Sequence, residues 1–290
     1  MSGWIVLDKP KGISSAAGVA KVRRLFDVAK AGHGGTLDPL ATGVLPIALG
    51  EATKVMGYIL DSNKAYRANV VWGESRDTED AEGNVTGTNP HRPDRAAILA
   101  ALPVFTGRLS QVPPAFSALK VGGRRAYAAA RAGETVELNP REIEVFTLEL
   151  VENGPDHAVL DVFCGKGTYI RALARDIAQA LGTLGYLGDL RRTRAGPFAE
   201  SQAISLATLE DLSHSARLAE ALLPLETALD DIPALALDGA AAAQLRHGQT
   251  ISVSTGLKDG IVFATSDTGP VAMARVTDGT LKPIRVFNSS

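Results

Sequence analysis

Apolar positions along this chain follow two rhythms, one of period two and one of period 3.6, and the first 230 residues keep switching between them. Residues 4–7 form a short strand-like run, a turn follows at 10–12, and Ser14 or Ser15 stands where a helix N-cap belongs. Val19, Val22, Leu25 and Phe26 then recur at helical spacing as far as Asp27, with Lys21, Arg23 and Arg24 on the opposite face. Residues 43–49 predict a buried segment, 51–60 return to helical spacing, and 66–73 alternate as a strand. An acidic loop over 74–82 leads to a helix over 94–102. Pro113 and Pro114 exclude a central strand there, so that stretch is an edge segment or ordered loop, and Arg124 opens a short basic helix ending near Gly133. Residues 141–151 and 157–164 read as paired strands around a turn at 153–156. Ile170, Leu173, Ile177 and Leu181 form the stripe of a helix capped by Thr168 and closed by Gly182. Helical runs over 206–212 and 216–223 end at a boundary marked by Pro224 and Pro233, and 234–287 reads as short strands with turns at Asp259-Gly260 and Asp278-Gly279.

Composition narrows the class. A chain of 290 residues, 45% hydrophobic and 21% charged, has room for one large domain and a small one of ordinary globular type. No apolar run reaches membrane-spanning length, residues 1–7 are too short for a signal peptide, and a cytoplasmic protein is expected. Cys164 is the single cysteine, which rules out an internal disulfide or a cysteine metal site and leaves it a packing role. The net charge of −2 hides a polarity: residues 1–70 carry nine Lys/Arg against five Asp/Glu, whereas 200–290 carry six against eleven. Bases cluster at Lys120, Arg124, Arg125 and Arg131, and again at Lys166, Arg171, Arg175, Arg191, Arg192 and Arg194, patches that suit a phosphate backbone.

The candidate chemistry centres on Asp38. It follows Gly32, Gly34 and Gly35, and precedes Pro39, which biases Asp38 away from helical geometry and keeps its carboxylate on a rigid loop backed by the apolar run 43–49. An ordinary turn fits the same residues, with the aspartate accepting local backbone bonds. A phosphate cradle is disfavoured, since no Lys follows the glycines.

Gly-His-Gly-Gly-Thr-Leu-Asp-Pro-Leu-Ala-Thr-Gly-Val-Leu over 32–45 resembles the signature of the TruB-type tRNA pseudouridine synthases, with Gly34 where threonine is commoner, a departure expected to loosen the turn. Three more motifs are similar to that family's in the same order: Asp-Lys-Pro-Lys-Gly-Ile-Ser-Ser from Asp8, Gly-Thr-Tyr-Ile-Arg from Gly167, and Leu-Arg-Arg-Thr from Leu190. So is Gln-Val-Pro-Pro-Ala-Phe-Ser-Ala-Leu-Lys from Gln111. The resemblance covers residues 4–230, and more weakly Leu245 to Gln249, which are similar to a PUA barrel.

The resemblance implies an α+β pseudouridine synthase fold over 1–230, with a bifurcated, mostly antiparallel mixed sheet, flanking helices and a basic RNA-binding excursion near 120–150. A small PUA-like β-barrel over 234–290 would follow. It implies isomerisation of the T-loop uridine at tRNA position 55 by base flipping. Asp38 would start the reaction as a nucleophile on ribose or base, or as a base at the sugar; the sequence leaves these open. Arg171 would pair with Asp38, and a salt bridge there would lower and aim the carboxylate. Tyr66 would stack on the flipped uracil, Tyr169 pack nearby, His33 enter the T-loop and Leu190 line the pocket. Lys120, Arg124, Arg125 and Arg131 would hold RNA phosphates, and the Lys9 segment would support the loop without chemistry.

Exchanging a carbon–nitrogen for a carbon–carbon glycosidic bond involves no redox change, so no cofactor and no metal is expected. The partners expected are tRNA, through its T-arm, with no membrane and no obligatory protein partner, and a monomeric state. Because the acidic rear is a poor anchor for RNA, a chain ending near Asp231 is expected to stay folded. Two rivals remain: a catalytically idle RNA-binding or RNA-chaperone protein on the same fold, and a retaining glycosidase, which needs a second carboxylate beside the first.

Overall fold

The computed structural model describes residues 1–117, 120, 121, 124, 125, 127, 138–253 and 258–288, with the backbone alone at 120, 121, 124 and 125. Nine strands build the large sheet: β1 (Gly3–Lys9), β2 (Ala31–His33), β3 (Thr42–Leu49), β4 (Lys64–Trp72), β5 (Gly107–Gln111), β6 (Arg141–Asn153), β7 (His157–Cys164), β8 (Gly185–Ala195) and β9 (Phe198–Ala199). The order is β1-β3-β8-β4-β7-β6-β5, with β9 on β8 and β2 on β3; every pairing is antiparallel except β3 with β8. This agrees with the mixed, mostly antiparallel sheet the resemblance implies.

The sheet forks at β3. That strand pairs along its length with β1, but on its other edge it meets β8 only at Thr42–Gly43 and β2 only at Ile47–Leu49. Between those contacts the edge opens, and the loop carrying Asp38 leaves from the gap. Gly43 permits the close join: its φ is +96°, and a Cβ there would lie 2.3 Å from the Arg192 carbonyl oxygen.

Burial explains why residues 43–49 show no alternation. Leu45, Ile47 and Leu49 on β3, with Ile5 and Leu7 on β1, enter the main core, which contains Val70, Trp72, Leu160 and Ile177. Val44 and Ala48, with Trp4 and Val6, point the other way into a second core. A strand buried on both faces reads as a continuous apolar run.

Helices α1 (Ser15–Leu25), α2 (Met56–Asp61), α3 (Arg95–Ala101), α4 (Ile170–Ala180), α5 (Leu206–His214) and α6 (Gly239–Arg246) complete the framework. Ser14 caps α1 by accepting from the Ala17 N–H, and Asp94 caps α3 by accepting from the Ala97 N–H. The C-terminal sheet comprises β10 (Ala234–Ala236), β11 (Ile251–Ser252), β12 (Gly260–Ser266), β13 (Gly269–Thr277) and β14 (Thr280–Val286), in the order β10-β12-β13-β14-β11, with α6 packed on it. Asp278 and Gly279 both have positive φ, 47° and 71°, in the tight turn joining β13 and β14. Phe263, Met273 and Phe287 of this unit belong to the second core, so the C-terminal sheet covers the far face of β1 and β3.

Three local expectations change. The residue before α4 is Tyr169, without a side-chain cap; the Thr168 hydroxyl donates instead to Gly165 O at 3.0 Å and tightens the preceding turn. Arg124–Arg125 pairs antiparallel with Lys120–Val121, so the expected basic helix does not open there; Tyr127 is helical, and the rest of that helix, to Gly133, lies outside the described residues. The acidic stretch likewise contributes a strand, Glu74–Arg76, paired with Val85–Thr88.

Candidate active site

The Asp38 loop is fixed from its backbone. The Ser15 hydroxyl accepts from the Leu37 N–H at 2.7 Å and donates to the Leu37 carbonyl at 2.8 Å. Lys9, wholly buried, donates from Nζ to Ile13 O at 2.8 Å, Pro10 O at 3.0 Å and Pro39 O at 3.4 Å. Burial lowers the Lys9 ammonium to about 8, with Arg192 acting in the same sense and Asp38 against it. Leu37 and Leu40 point into the protein, and the Asp38 side chain between them is 39% exposed. An apolar residue on each side turns the carboxylate outward, and the directional bonds hold it there.

Arg171 meets it from the first turn of α4. Its Nη2 lies 2.9 Å from Asp38 Oδ2, while the guanidinium also donates to Thr78 O at 2.9 Å and Phe116 O at 3.0 Å. The Arg171 side chain is 6% exposed. A cation at a helix N-terminus is disfavoured by the dipole, so compensating anions are needed; the structure supplies two. The second is Asp80, buried, its Oδ2 3.6 Å from Arg171 Nε, with Oδ1 accepting from the Thr78 hydroxyl at 2.6 Å and the Glu82 N–H at 3.1 Å. One turn further along α4, Arg175 pairs with Glu79 and Asp176. The acidic hairpin is therefore the electrostatic counterpart of α4. Asp80 was not legible as a site residue, because it sits in an acidic run that also suits a solvated face.

Asp38 and Arg171 open onto a cleft of about 260 Å³ whose wall includes Tyr66, Tyr169, Leu190 and Leu60. Burial raises the Tyr66 phenol, with the neighbouring Arg192 charge opposing it. The Tyr169 backbone is clamped by the buried Gln111 amide, which accepts from its N–H at 2.9 Å and donates to its carbonyl at 3.1 Å. Lys64 caps the end of α2 through Ile59 O, Leu60 O and Ser62 O, and burial lowers it to about 8. The structure thus brings Asp38, Arg171, Tyr66, Tyr169 and Leu190 together. His33 lies apart from the cleft on β2, half-buried, and its buried Nδ1 has no hydrogen-bond partner among the described residues. Lys120, Arg124 and Arg125 lie on the paired backbone of 120–121 and 124–125; their side chains, and all of Arg131, fall outside the described residues. A larger hollow of about 780 Å³ between α2 and residues 228–232 contains none of these groups; its wall mixes Asp61, Asp230 and Asp231 with Lys54 and Arg194.

Within the basic cluster from Lys166 to Arg194, most bases meet anions or carbonyls of the chain itself, while Arg194 is exposed and, among the described residues, forms no ion pair. Lys166 pairs with Asp61, Arg175 with Glu79, and Arg191 with Asp8 and Glu200. Arg192 is 1% exposed and donates to Val44 O at 2.7 Å, Gly35 O at 3.0 Å and Thr36 O at 3.4 Å. Clustered charge in sequence does not reveal which residues have anions across the fold. Exposed bases without an ion pair among the described residues include Lys21, Arg23, Arg24 and Lys30, on and just after α1.

Among the described residues no group of His, Cys, Asp and Glu is arranged to hold a metal ion, and no helix is long and apolar enough to cross a membrane. Three family models match in succession: TruB family pseudouridylate synthase (N terminal domain) over 23–170, tRNA pseudouridylate synthase B C-terminal domain over 171–230, and Pseudouridine synthase II TruB, C-terminal, over 233–287. The chain is 50% identical to the tRNA pseudouridine synthase B of Caulobacter vibrioides over 298 residues, covering 99% of this chain and 96% of that protein. It is 52% identical to the protein of that name from Bradyrhizobium diazoefficiens over 295 residues, covering 99% and 86%. Among solved structures it is similar to the archaeal box H/ACA Nop10–Cbf5 complex, with a TM-score of 0.75 at 27% identity, covering 99% of this chain and 86% of the matched one. Across its whole length, then, this chain belongs to the TruB family of pseudouridine synthases.

Proposed function

We propose that the protein isomerises a uridine of tRNA to pseudouridine, that the target is the T-loop uridine at position 55, and that Asp38 starts the reaction. The observation that carries this reading is the Asp38–Arg171 pair, 2.9 Å apart, with the arginine buried and the carboxylate open to a cleft it shares with Tyr66. An RNA-binding protein without chemistry has no use for a carboxylate aimed by a buried cation. In a glycosidase the second carboxylate would face the same space, whereas Asp80 lies behind Arg171 and is absent from the cleft wall.

In this reading the flipped uracil stacks on Tyr66, an aromatic plane that an unstacked base needs. Leu190 and Tyr169 complete the pocket, His33 enters the reorganised T-loop, and Lys120, Arg124, Arg125 and Arg131 contact phosphates. The uracil N1–C1′ bond breaks and a C5–C1′ bond forms; the proton lost from C5 balances the one gained at N1. Asp38 attacks ribose or base, or removes a sugar proton, and each route uses the same ionised, Arg171-held carboxylate. The protein works as a monomer in the cytoplasm without an obligatory protein partner. Incubation with unmodified tRNA, followed by carbodiimide treatment and primer extension, should produce a stop at the T-loop uridine. The absence of any stop in tRNA given excess protein would refute the assignment.

A further inference from the structure

Arg192 lies, with Arg191, in the short stretch where three strands meet. On β8 it is the register partner of Tyr66 on β4 and of Gly43 on β3. Its side chain then runs back into the opened edge of β3. There it donates to Val44 O, a carbonyl that β8 leaves behind as the sheet forks, and to Gly35 O and Thr36 O, three and two residues before Asp38. The guanidinium also lies against the Tyr66 phenol. Among the described residues no carboxylate forms an ion pair with it; the other groups that feel its charge are Lys9, His33 and Lys64, each pushed toward its neutral form.

A cation buried without an anion is costly to keep. A hydrophobic side chain of similar volume would fill the fork more cheaply, but it could not gather three carbonyls from both arms. The planar guanidinium, with five donors in fixed directions, can. We propose that Arg192 is a positioning residue for the isomerisation, locking the Asp38 loop and the Tyr66 ring into one frame by bridging the arms of the forked sheet. It acts through Asp38 and Tyr66 and does not touch RNA phosphates, because almost none of it reaches the surface. The inference rests on the functional reading above.

The test uses full-length Arg192→Met, which keeps bulk without donors, and Arg192→Lys, which keeps the charge but reaches fewer carbonyls. After thermal melts establish folding, tRNA affinity is measured by filter binding and chemistry by single-turnover pseudouridine formation with saturating enzyme. Affinity should be unchanged while the single-turnover rate of Arg192→Met falls about 100-fold, the scale of a misplacement near 1 Å, with Arg192→Lys in between. Combined with Tyr66→Phe, the loss should be smaller than the product of the two single losses, since both changes act on one assembly. A folded variant with a normal single-turnover rate and weakened binding would make Arg192 an RNA contact and overturn the proposal, as would losses that multiply. If Arg192→Met does not fold, Arg192→Lys decides by the same two readings. Wild-type enzyme that forms no pseudouridine would instead strike the functional reading itself.

Discussion

The Asp38 loop and the C-terminal sheet are both fastened to β1 and β3, on opposite terms. The loop is held by side chains that donate to or accept from its backbone: Lys9, Ser15 and Arg192 bond Pro39, Leu37, Gly35 and Thr36. The C-terminal sheet is held mainly by Phe263, Met273 and Phe287, buried against Trp4, Val6 and Val44. Only a few polar bonds assist it, such as Lys54 Nζ to Val286 O and the Asn288 N–H to Glu51. Apolar burial is strong but non-directional, whereas a hydrogen bond contributes less and fixes an angle. Where an atom must sit within a fraction of an ångström the protein uses polar bonds, and where a domain must simply stay docked it uses apolar area.

That contrast is broken first at the carboxylate. Asp38→Asn keeps the shape and loses the anion, so pseudouridine formation should vanish while tRNA binding and the melting temperature persist. Any measurable product from a clean Asp38→Asn preparation would show that the loop positions something other than the initiating group.

The docking side should respond in the opposite currency. Phe287→Ala removes a side chain that is 2% exposed and packed edge-on to Phe263, with ring centroids 6.0 Å apart. It should cost about 3–5 kcal/mol in urea unfolding and leave the saturating rate unchanged at 25 °C. Deleting everything after Asp231 would uncover the far face of β1 and β3, so the truncated chain should aggregate or melt far below the full protein. The polarised charge of the rear implied a dispensable domain; the shared core argues the reverse. A truncated chain as stable as the whole would show that the second core is ornamental.

A smaller effect is expected at Gly34, the one departure from the family signature. It is not a loosened turn. A Cβ there would stand 2.4 Å from Ile59 Cγ2, and Ile59 is buried. Gly34→Thr should therefore cost about 1–3 kcal/mol, the usual scale of overpacking. Ile59→Leu, which is unbranched at Cβ, should restore much of that loss when combined with it. If Gly34→Thr alone is neutral, the α2 wall is softer than the polar side of the site.

How far the sequence led follows from the same contrast. Period and turn chemistry marked β1, α1, β4, β7 and α4, because apolar patterning is local in the chain. The Asp38 loop and Arg171 were legible through motif resemblance. Asp80, Ser15, Gln111 and Arg192 were not read as site residues. Their partners lie as much as 157 residues away in the chain, and a serine, a glutamine or an arginine in a basic run looks the same whether solvated or buried. The docking of the C-terminal sheet was hidden for a related reason: a strand buried on both faces does not say what covers each.

The smallest effect tests whether carbonyl cages make the buried amines comfortable. Lys9 and Lys64 are both held near 8 by burial, against about 10.4 in an unfolded chain. Between those values the unfolded state binds more protons than the folded one, so stability rises with pH, and the gain is lost again as pH falls through 8. Each amine contributes at most about 1.4 kcal/mol per pH unit, so the pair should add about 1–2 kcal/mol between pH 8 and 9. From about pH 8.5, the ordinary thiol value, Cys164 works against them. Burial raises its thiol to about 11, so the unfolded chain gives up that proton first and stability falls as pH rises. Urea midpoints should therefore climb from about pH 8 past 9 and flatten only near pH 10, and Lys9→Met should remove more than half the climb. A midpoint that falls over the same interval would mean that carbonyl oxygens at 2.5–3.4 Å solvate the ammonium groups as well as water does. The polar cage would then hold the active-site loop without electrostatic strain.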